Sequence, residues 1–443
     1  MNINNKSDGN DSEDDHCKFN QPELDESDNT EANLDVDTPR GRSWKATFQS
    51  LKTRSYFFLW LGMISMMASV QMQMVARGYL VYDLTNSATL LGIVTAGSAV
   101  PILTLSLFGG AIADRINKKR IIQFTQSMTA LFSVIVAILI FTDNVTWIYL
   151  LISSTLQGAV WAFLMPARQA LIPELVGKKE LSNAIALNAA GMSAMTLIAP
   201  TIAGVIYAIW GVGVVYVLIA SLAVTGMILT SMVQVTSIVR RVEHKAMSSD
   251  IMQGLKYVIK SPIIRVLILV GLVSALLIMP IRFLLPVLVV DVYHLRVDAL
   301  GILLSAMGVG ALVGSLFIAW VGRWKRGGIL IFGTFASGVA MLLMAILPFY
   351  IAGILIMLIL GLGDAARRGL NQALIMDQVS DKYRGRVMSI YMMNFGLMPL
   401  GILPIGIIAD VWGSQIAVGI LGIIAVVVGT VLFATQVKLR RMS

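Results

Sequence analysis

The sequence predicts an all-α membrane protein of twelve transmembrane helices in two six-helix halves. Three observations carry that reading. First, 57% of the 443 residues are hydrophobic and only 13% are charged, with a mean hydropathy of +0.79. Soluble domains sit at about 45–50% apolar and about 25% charged, so water is not the main solvent of this chain. Second, apolar stretches near or above the roughly 20 residues needed to cross a bilayer follow one another from residue 55 onward. Third, the charges in the connections alternate in sign as a chain threading a membrane requires.

In order along the chain, residues 1–42 read as a disordered acidic cytoplasmic tail, too polar to bury a core. Twelve of the 25 acids lie in the first 38 residues, against Lys6 and Lys18 alone among the 34 Lys and Arg. The net charge of +9 thus averages an acidic tail with a strongly basic body, as expected for loops facing anionic lipid. Basic residues scattered between apolar runs make a nucleic-acid partner the poorer reading, and none is expected. The start is polar, so no cleavable signal peptide is expected and the first span serves as insertion signal. Cys17 is the single cysteine. With it in the tail, the sequence calls for no disulfide, no metal and no cofactor.

The N-terminal half, 43–236, is expected to hold spans at 55–82, 86–113, 119–141, 145–171, 183–209 and 212–236. The C-terminal half, 263–437, is expected to hold 263–291, 298–321, 328–348, 351–378, 386–410 and 414–436, followed by a basic cytoplasmic end at 438–443. If the tail is inside, the inner loops carry Lys118, Lys119 and Arg120, then Lys178 and Lys179, Arg240 and Arg241, Arg323 to Arg326, and Lys382 to Arg386. The outer loops carry Asp83, Asp143, Asp291 and Asp298, with Arg296 as the one clear base. Both ends are therefore expected in the cytoplasm of a cell (plasma) membrane protein. The linker, 237–262, holds Ser249 and Asp250 as helix caps and places Ile251, Leu255, Val258 and Ile259 on one face, an amphipathic helix for the inner leaflet.

The halves repeat. Arg168-Gln-Ala-Leu-Ile-Pro-Glu174 answers Asn371-Gln-Ala-Leu-Ile-Met-Asp377; Leu91-Gly92-Ile93 answers Leu300-Gly301-Ile302; Pro200 answers Pro404. Parallel repeats place a solute site between the halves near mid-membrane.

After the second span the chain reads Gly110-Ala-Ile-Ala-Asp114-Arg115-Ile-Asn117-Lys118-Lys119-Arg120. This resembles the signature loop of the major facilitator superfamily. The resemblance implies that fold and a loop that stabilises the state closed to the cytoplasm. Asn117 replaces the usual glycine, and Asn also tolerates left-handed backbone. Lys118 replaces the usual arginine, losing a bidentate fork. The second copy keeps Gly322-Arg323 but has Ala319-Trp320 for Asp-Arg. Gln157-Gly158 resembles the family's Arg-x-x-Gln-Gly element with Ser154 in place of the arginine. Ala199-Pro200-Thr-Ile-Ala203-Gly204 is a degenerate form of the antiporter Gly-Pro-x-x-Gly-Gly motif. Pro166 to Val176, Asn183 to Asn188, Gly254-Leu-Lys-Tyr-Val and Arg384-Gly-Arg-Val-Met-Ser389 add a likeness to the enterobactin-exporter-like branch of the drug:proton antiporters. The likeness covers the chain after residue 45.

Ionisable groups inside spans are costly and face a cavity or one another. Asp364, Arg368 and Asn371 fall on one stripe of the tenth span, with Arg367 beside it; Gln157, Trp161 and Arg168 share a stripe of the fourth. Gln73 and Arg77 on the first span and Arg282 on the seventh complete the candidate substrate cavity. The resemblance implies that these four spans line it. Two readings are open for Asp364, the one acid near mid-membrane: a proton carrier, or an ion-pair partner of Arg368. The buried arginines suit an anionic or zwitterionic substrate.

The sequence thus points to proton-linked efflux of a small amphipathic solute, a drug or siderophore, by a protein that functions as a monomer in the bilayer. Uptake or facilitated diffusion without protons is the alternative, and a non-transporting receptor a second. An enzyme is disfavoured: His16, His244 and His294 are the only histidines and none is mid-membrane.

Overall fold

The structure, a computed structural model, describes residues 49–105, 117–177, 180–234, 247–321, 325–380, 383–440 and 442. Within them lie eleven helices long and apolar enough to span a membrane and one shorter apolar helix. The N-terminal half comprises α1 (Arg54–Thr85), α2 (Ala88–Leu105), α3 (Lys118–Phe141), α4 (Trp147–Leu175), α5 (Leu181–Trp210) and α6 (Val212–Ser231). The C-terminal half comprises α7 (Pro262–Val292), α8 (Val297–Val321), α9 (Arg326–Ile346), α10 (Tyr350–Gln378), α11 (Arg384–Gly396 and Pro399–Trp412) and α12 (Ser414–Thr435). The eleventh span is broken where the sequence reading had it continuous. Pro399 offers no N–H to the preceding turn, and Leu397 and Met398 form a turn between the two pieces.

Large apolar side chains such as Phe332, Ile346 and Ile351 face outward at 68–74% exposure. Backbone hydrogen bonds closed within helices and an apolar exterior suit a hydrocarbon solvent. The protein is a multi-pass membrane protein.

The repeat is visible in geometry as well as in letters. Trp210-Gly211 and Trp412-Gly413 occupy equivalent turns, and the two glycines adopt φ of +85° and +92°, a backbone that favours glycine. Across the seams between the halves, α5 packs along α8 and α2 along α11. A Cβ on Gly204 would lie 2.9 Å from the carbonyl oxygen of Val297; one on its repeat partner Gly406 would lie 2.8 Å from that of Ala88. These small residues bring helix backbones into direct contact.

The linker helix spans Met247–Lys260, so Ser249 and Asp250 lie inside its first turn rather than capping it. Val258 is buried against the C-terminal half, while Leu255 and Ile259 stay exposed. The expected apolar face is thus split between the protein and its surroundings.

Candidate functional site

The polar centre of the C-terminal half is built on one carboxylate. Asp364 sits midway along α10 at 2% exposure. Arg367 Nη2 donates to its Oδ1 at 2.8 Å, Arg368 Nη2 to its Oδ2 at 2.6 Å, and Arg282 Nη2 of α7 to its Oδ2 at 3.3 Å. Helical spacing supplies the first two partners, since residues three and four apart share a face. The ion-pair reading of Asp364 named Arg368 alone; the structure gives it three arginine partners. Arg367, only 1% exposed, also donates through Nη1 to Ser337 Oγ of α9 at 2.9 Å. Asn371 donates to the Leu267 carbonyl at 3.1 Å, tying α10 to α7.

Asp364, Arg367, Arg368 and Asn371 line a small cavity completed by Ser274, Tyr391 and Asn394. Gly271 makes room for it, because a Cβ there would lie 2.7 Å from the Tyr391 ring and 2.8 Å from Asn394 Nδ2. A second cavity lies between the halves, with Arg77 of α1 and Arg282 of α7 among walls that include Met74, Leu91, Val94 and Phe283. Arg282 therefore lines the second cavity and pairs with Asp364, which lines the first. It is positioned by an irregular helix: α7 has π-helical turns at Ser274–Ile278 and Leu288–Val292, with Pro280 and Pro286 between them. Such turns recur at functional sites.

The remaining candidates lie elsewhere. Gln157 is buried and donates to Thr129 Oγ1 of α3 at 3.4 Å, and Arg168 Nη2 contacts Met192 Sδ of α5 at 3.0 Å. Gln73 is buried in α1 and Trp161 packs in the core of the N-terminal half. None of these four lines either cavity. Arg168 and Asn371 are repeat equivalents, yet one meets a thioether and the other a backbone carbonyl.

Of the signature loop, Gly110, Asp114 and Arg115 lie outside the described residues, as do Gly322 and Arg323. Asn117 is the N-cap of α3, its Oδ1 accepting from Lys119 N at 3.0 Å, with φ of −57°. Its backbone is not left-handed, so capping explains this asparagine and the expectation of glycine-like geometry is corrected. Lys118 pairs with Glu174 of α4, and Lys119 Nζ donates to the carbonyls of Ser231 and Val233 at the end of α6. Because Lys118 and Glu174 are both solvated, Lys118→Gln is expected to change the unfolding free energy by less than about 1 kcal/mol, measured by chemical denaturation in detergent.

The antiporter-like segment lies on the α5–α8 seam. Ala199 and Ala203 are fully packed. A Cβ on Gly301 would collide with the Pro200 carbonyl, and Thr201 Oγ1 donates to Ser305 Oγ at 2.7 Å. Pro200 has no N–H, so the Thr196 carbonyl loses its helical partner; that carbonyl faces Gly308.

The face opposite the described chain ends is latched by contacts that helical spacing alone does not predict. Asp410 at the end of α11 accepts from Ser87 Oγ at 2.7 Å, Ala88 N at 2.6 Å and Thr89 N at 2.9 Å. A carboxylate from one half thus caps the N-terminus of α2 in the other, where free N–H groups and the helix dipole favour an anion. At the pseudo-equivalent place Arg296 Nη2 donates to the Ala208 carbonyl at 2.8 Å, and Tyr82 Oη donates to Asp291 Oδ2 at 2.6 Å. Asp410→Ala is expected to weaken this cap by about 0.5–2 kcal/mol. Faster maleimide labelling of Thr95→Cys from that face, in a Cys17→Ser background, checks it.

Two six-helix halves meeting along seams of small residues, around charged chambers in an apolar body, define a polytopic membrane transporter. Residues 59–401 match the family model of the Major Facilitator Superfamily, and the chain belongs to that family. It is 28% identical over 363 residues to the staphyloferrin A transporter of Staphylococcus aureus (strain NCTC 8325 / PS 47), covering 80% of this chain and 89% of the relative. It is 25% identical over 366 residues to the enterobactin exporter EntS of Shigella boydii serotype 4, covering 79% and 84%. It is 24% identical over 346 residues to macrolide efflux protein A of Streptococcus pyogenes, covering 76% and 84%. Among solved structures, a variant of the nucleoside transporter NupG matches with a TM-score of 0.74 at 11% identity, covering 86% of this chain and 99% of that one. A bacterial homologue of the lysosomal transporter Spinster, inward-facing and unoccupied, matches with a TM-score of 0.71 at 14% identity, covering 88% and 99%. The chain is a transporter and not an enzyme, and its bacterial relatives place it in the plasma membrane.

Proposed function

We propose that this chain exports a small amphipathic solute, a drug or siderophore, by alternating access, driven by proton influx. The observation that carries the reading is the second cavity, walled by both halves and holding an arginine from each. Relatives named for siderophore transport, enterobactin export and macrolide efflux support the direction and the solute size. In this reading the basic connections and both chain ends face the cytoplasm, the tail at 1–42 is solvated, and the linker helix rests its exposed Leu255 and Ile259 on the inner leaflet. Asp114 tunes the gate on that side, and the protein works as a monomer.

A second reading, transport without protons, draws on two observations. Ser154 is buried with its Oγ unpartnered at the place of the family's arginine, and Asp364 is engaged by three guanidinia. Inside-out vesicles with an imposed pH gradient separate the two. Proton-driven export gives solute accumulation that collapses with the gradient and is lost in Asp364→Asn. Accumulation indifferent to the gradient removes the proton, and full activity of the variant removes Asp364 from coupling.

A further inference from the structure

We infer that the substrate is an organic anion, an apolar body bearing carboxylate or similar oxyanion groups, and that Asp364 is the internal counter-ion this substrate displaces. The inference rests on the transport reading and names the substrate class of that site. Four guanidinia, those of Arg77, Arg282, Arg367 and Arg368, line the two cavities, and Asp364 is the one carboxylate among the residues lining them. Arg282, Arg367 and Arg368 share it; Arg77 has no ion pair among the described residues. Three positive charges thus face the chambers without a matching carboxylate. A buried charge is tolerated when it is paired, and the pairing group the protein does not supply is one a ligand can bring.

The donors have spare capacity. The Nε groups of Arg282 and Arg367 are buried and unpartnered, although a guanidinium offers five N–H donors in a planar fork matched to carboxylate and phosphate. Arg367 is 1% exposed, so its free donor is not solvated at a surface. The apolar walls of the second cavity, Met74, Leu91, Val94 and Phe283, suit the substrate's carbon body. A cationic drug would meet like charge from both halves. Arg77 and Arg282 come from opposite halves, so an anion bridging them would also draw the halves together.

The test uses purified full-length protein in nanodiscs and two amphipathic dyes of opposite charge, carboxyfluorescein and tetramethylrhodamine methyl ester. Saturable binding of carboxyfluorescein is expected, with competition by aliphatic tricarboxylates. Arg77→Gln is expected to weaken it about tenfold or more, the loss of one charge-assisted contact. Asp364→Asn is expected to bind the anion more tightly and to gain more in melting temperature from it than the wild type does. A purely structural ion pair gives no such rescue. Should Asp364→Asn not fold, the wild type and Arg77→Gln still decide. Binding of the cationic dye alone, failure of the folded wild type to bind any organic anion, or anion binding indifferent to Arg77→Gln overturns the inference. Vesicle uptake of neutral or cationic solutes would then leave the exporter reading standing, whereas that reading fails separately if no solute of any charge is moved.

Discussion

Asp364→Ala is expected to destabilise the protein by about 3–5 kcal/mol, the cost of removing one partner from a buried ion pair. The value follows from what remains. Arg367 is 1% exposed, held by Ser337 Oγ, and without Asp364 would face Arg282 and Arg368 with no anion between them. Asp364→Asn keeps one carbonyl oxygen for a single guanidinium and is expected to lose less. Thermal unfolding in detergent, with a double-variant cycle through Arg367→Met, measures the coupling. A loss below about 1 kcal/mol, the range of solvated pairs, would mean that the cluster is hydrated and the carboxylate dispensable.

The second large effect is expected at the seam. Gly301 of α8 lies so close to the Pro200 carbonyl of α5 that any side chain must push the helices apart. Gly301→Val adds three carbons to a contact with no space, and overpacking costs about 1–3 kcal/mol. That cost applies only while the latched face is closed. It therefore shifts the conformational equilibrium about 5- to 150-fold towards the state open there. Transport is expected to fall at least in proportion, with folding retained because the opened seam relieves the clash. Flux in vesicles, alongside thermal unfolding, checks both parts. Flux equal to the wild type's would show that the seam does not move.

The membrane class, the two halves and the positions of nearly all spans are legible in the sequence because lipid imposes one repeated demand, a long apolar helix, on every segment. The break in α11 was legible in principle from Gly396, Met398 and Pro399, but apolar character runs through it and hid the turn. The repeated Trp-Gly turns at Gly211 and Gly413 were equally readable as paired letters. The site was legible only by element. Helical spacing puts Asp364, Arg367 and Arg368 together, and Pro280 and Pro286 around Arg282 mark an irregular helix. Spacing along one helix says nothing of which neighbour it meets, so Gln157 and Arg168 share a stripe and yet contact α3 and α5. Asp410 carries no motif or spacing signal, and its role exists only because α11 ends beside the first turn of α2.

Alternating access requires that each membrane face reach the charged chambers in turn. Cys17 is the only native cysteine, so Met279→Cys in a Cys17→Ser background gives a single reporter in the cavity beside Asp364. Labelling with a membrane-impermeant maleimide, in right-side-out and in inside-out vesicles, is the most direct test. The reporter should react from both sides in the active protein, and from the latched face alone once Gly301→Val is added. A folded, transporting protein whose reporter reacts from neither side would show that the solute travels by another route.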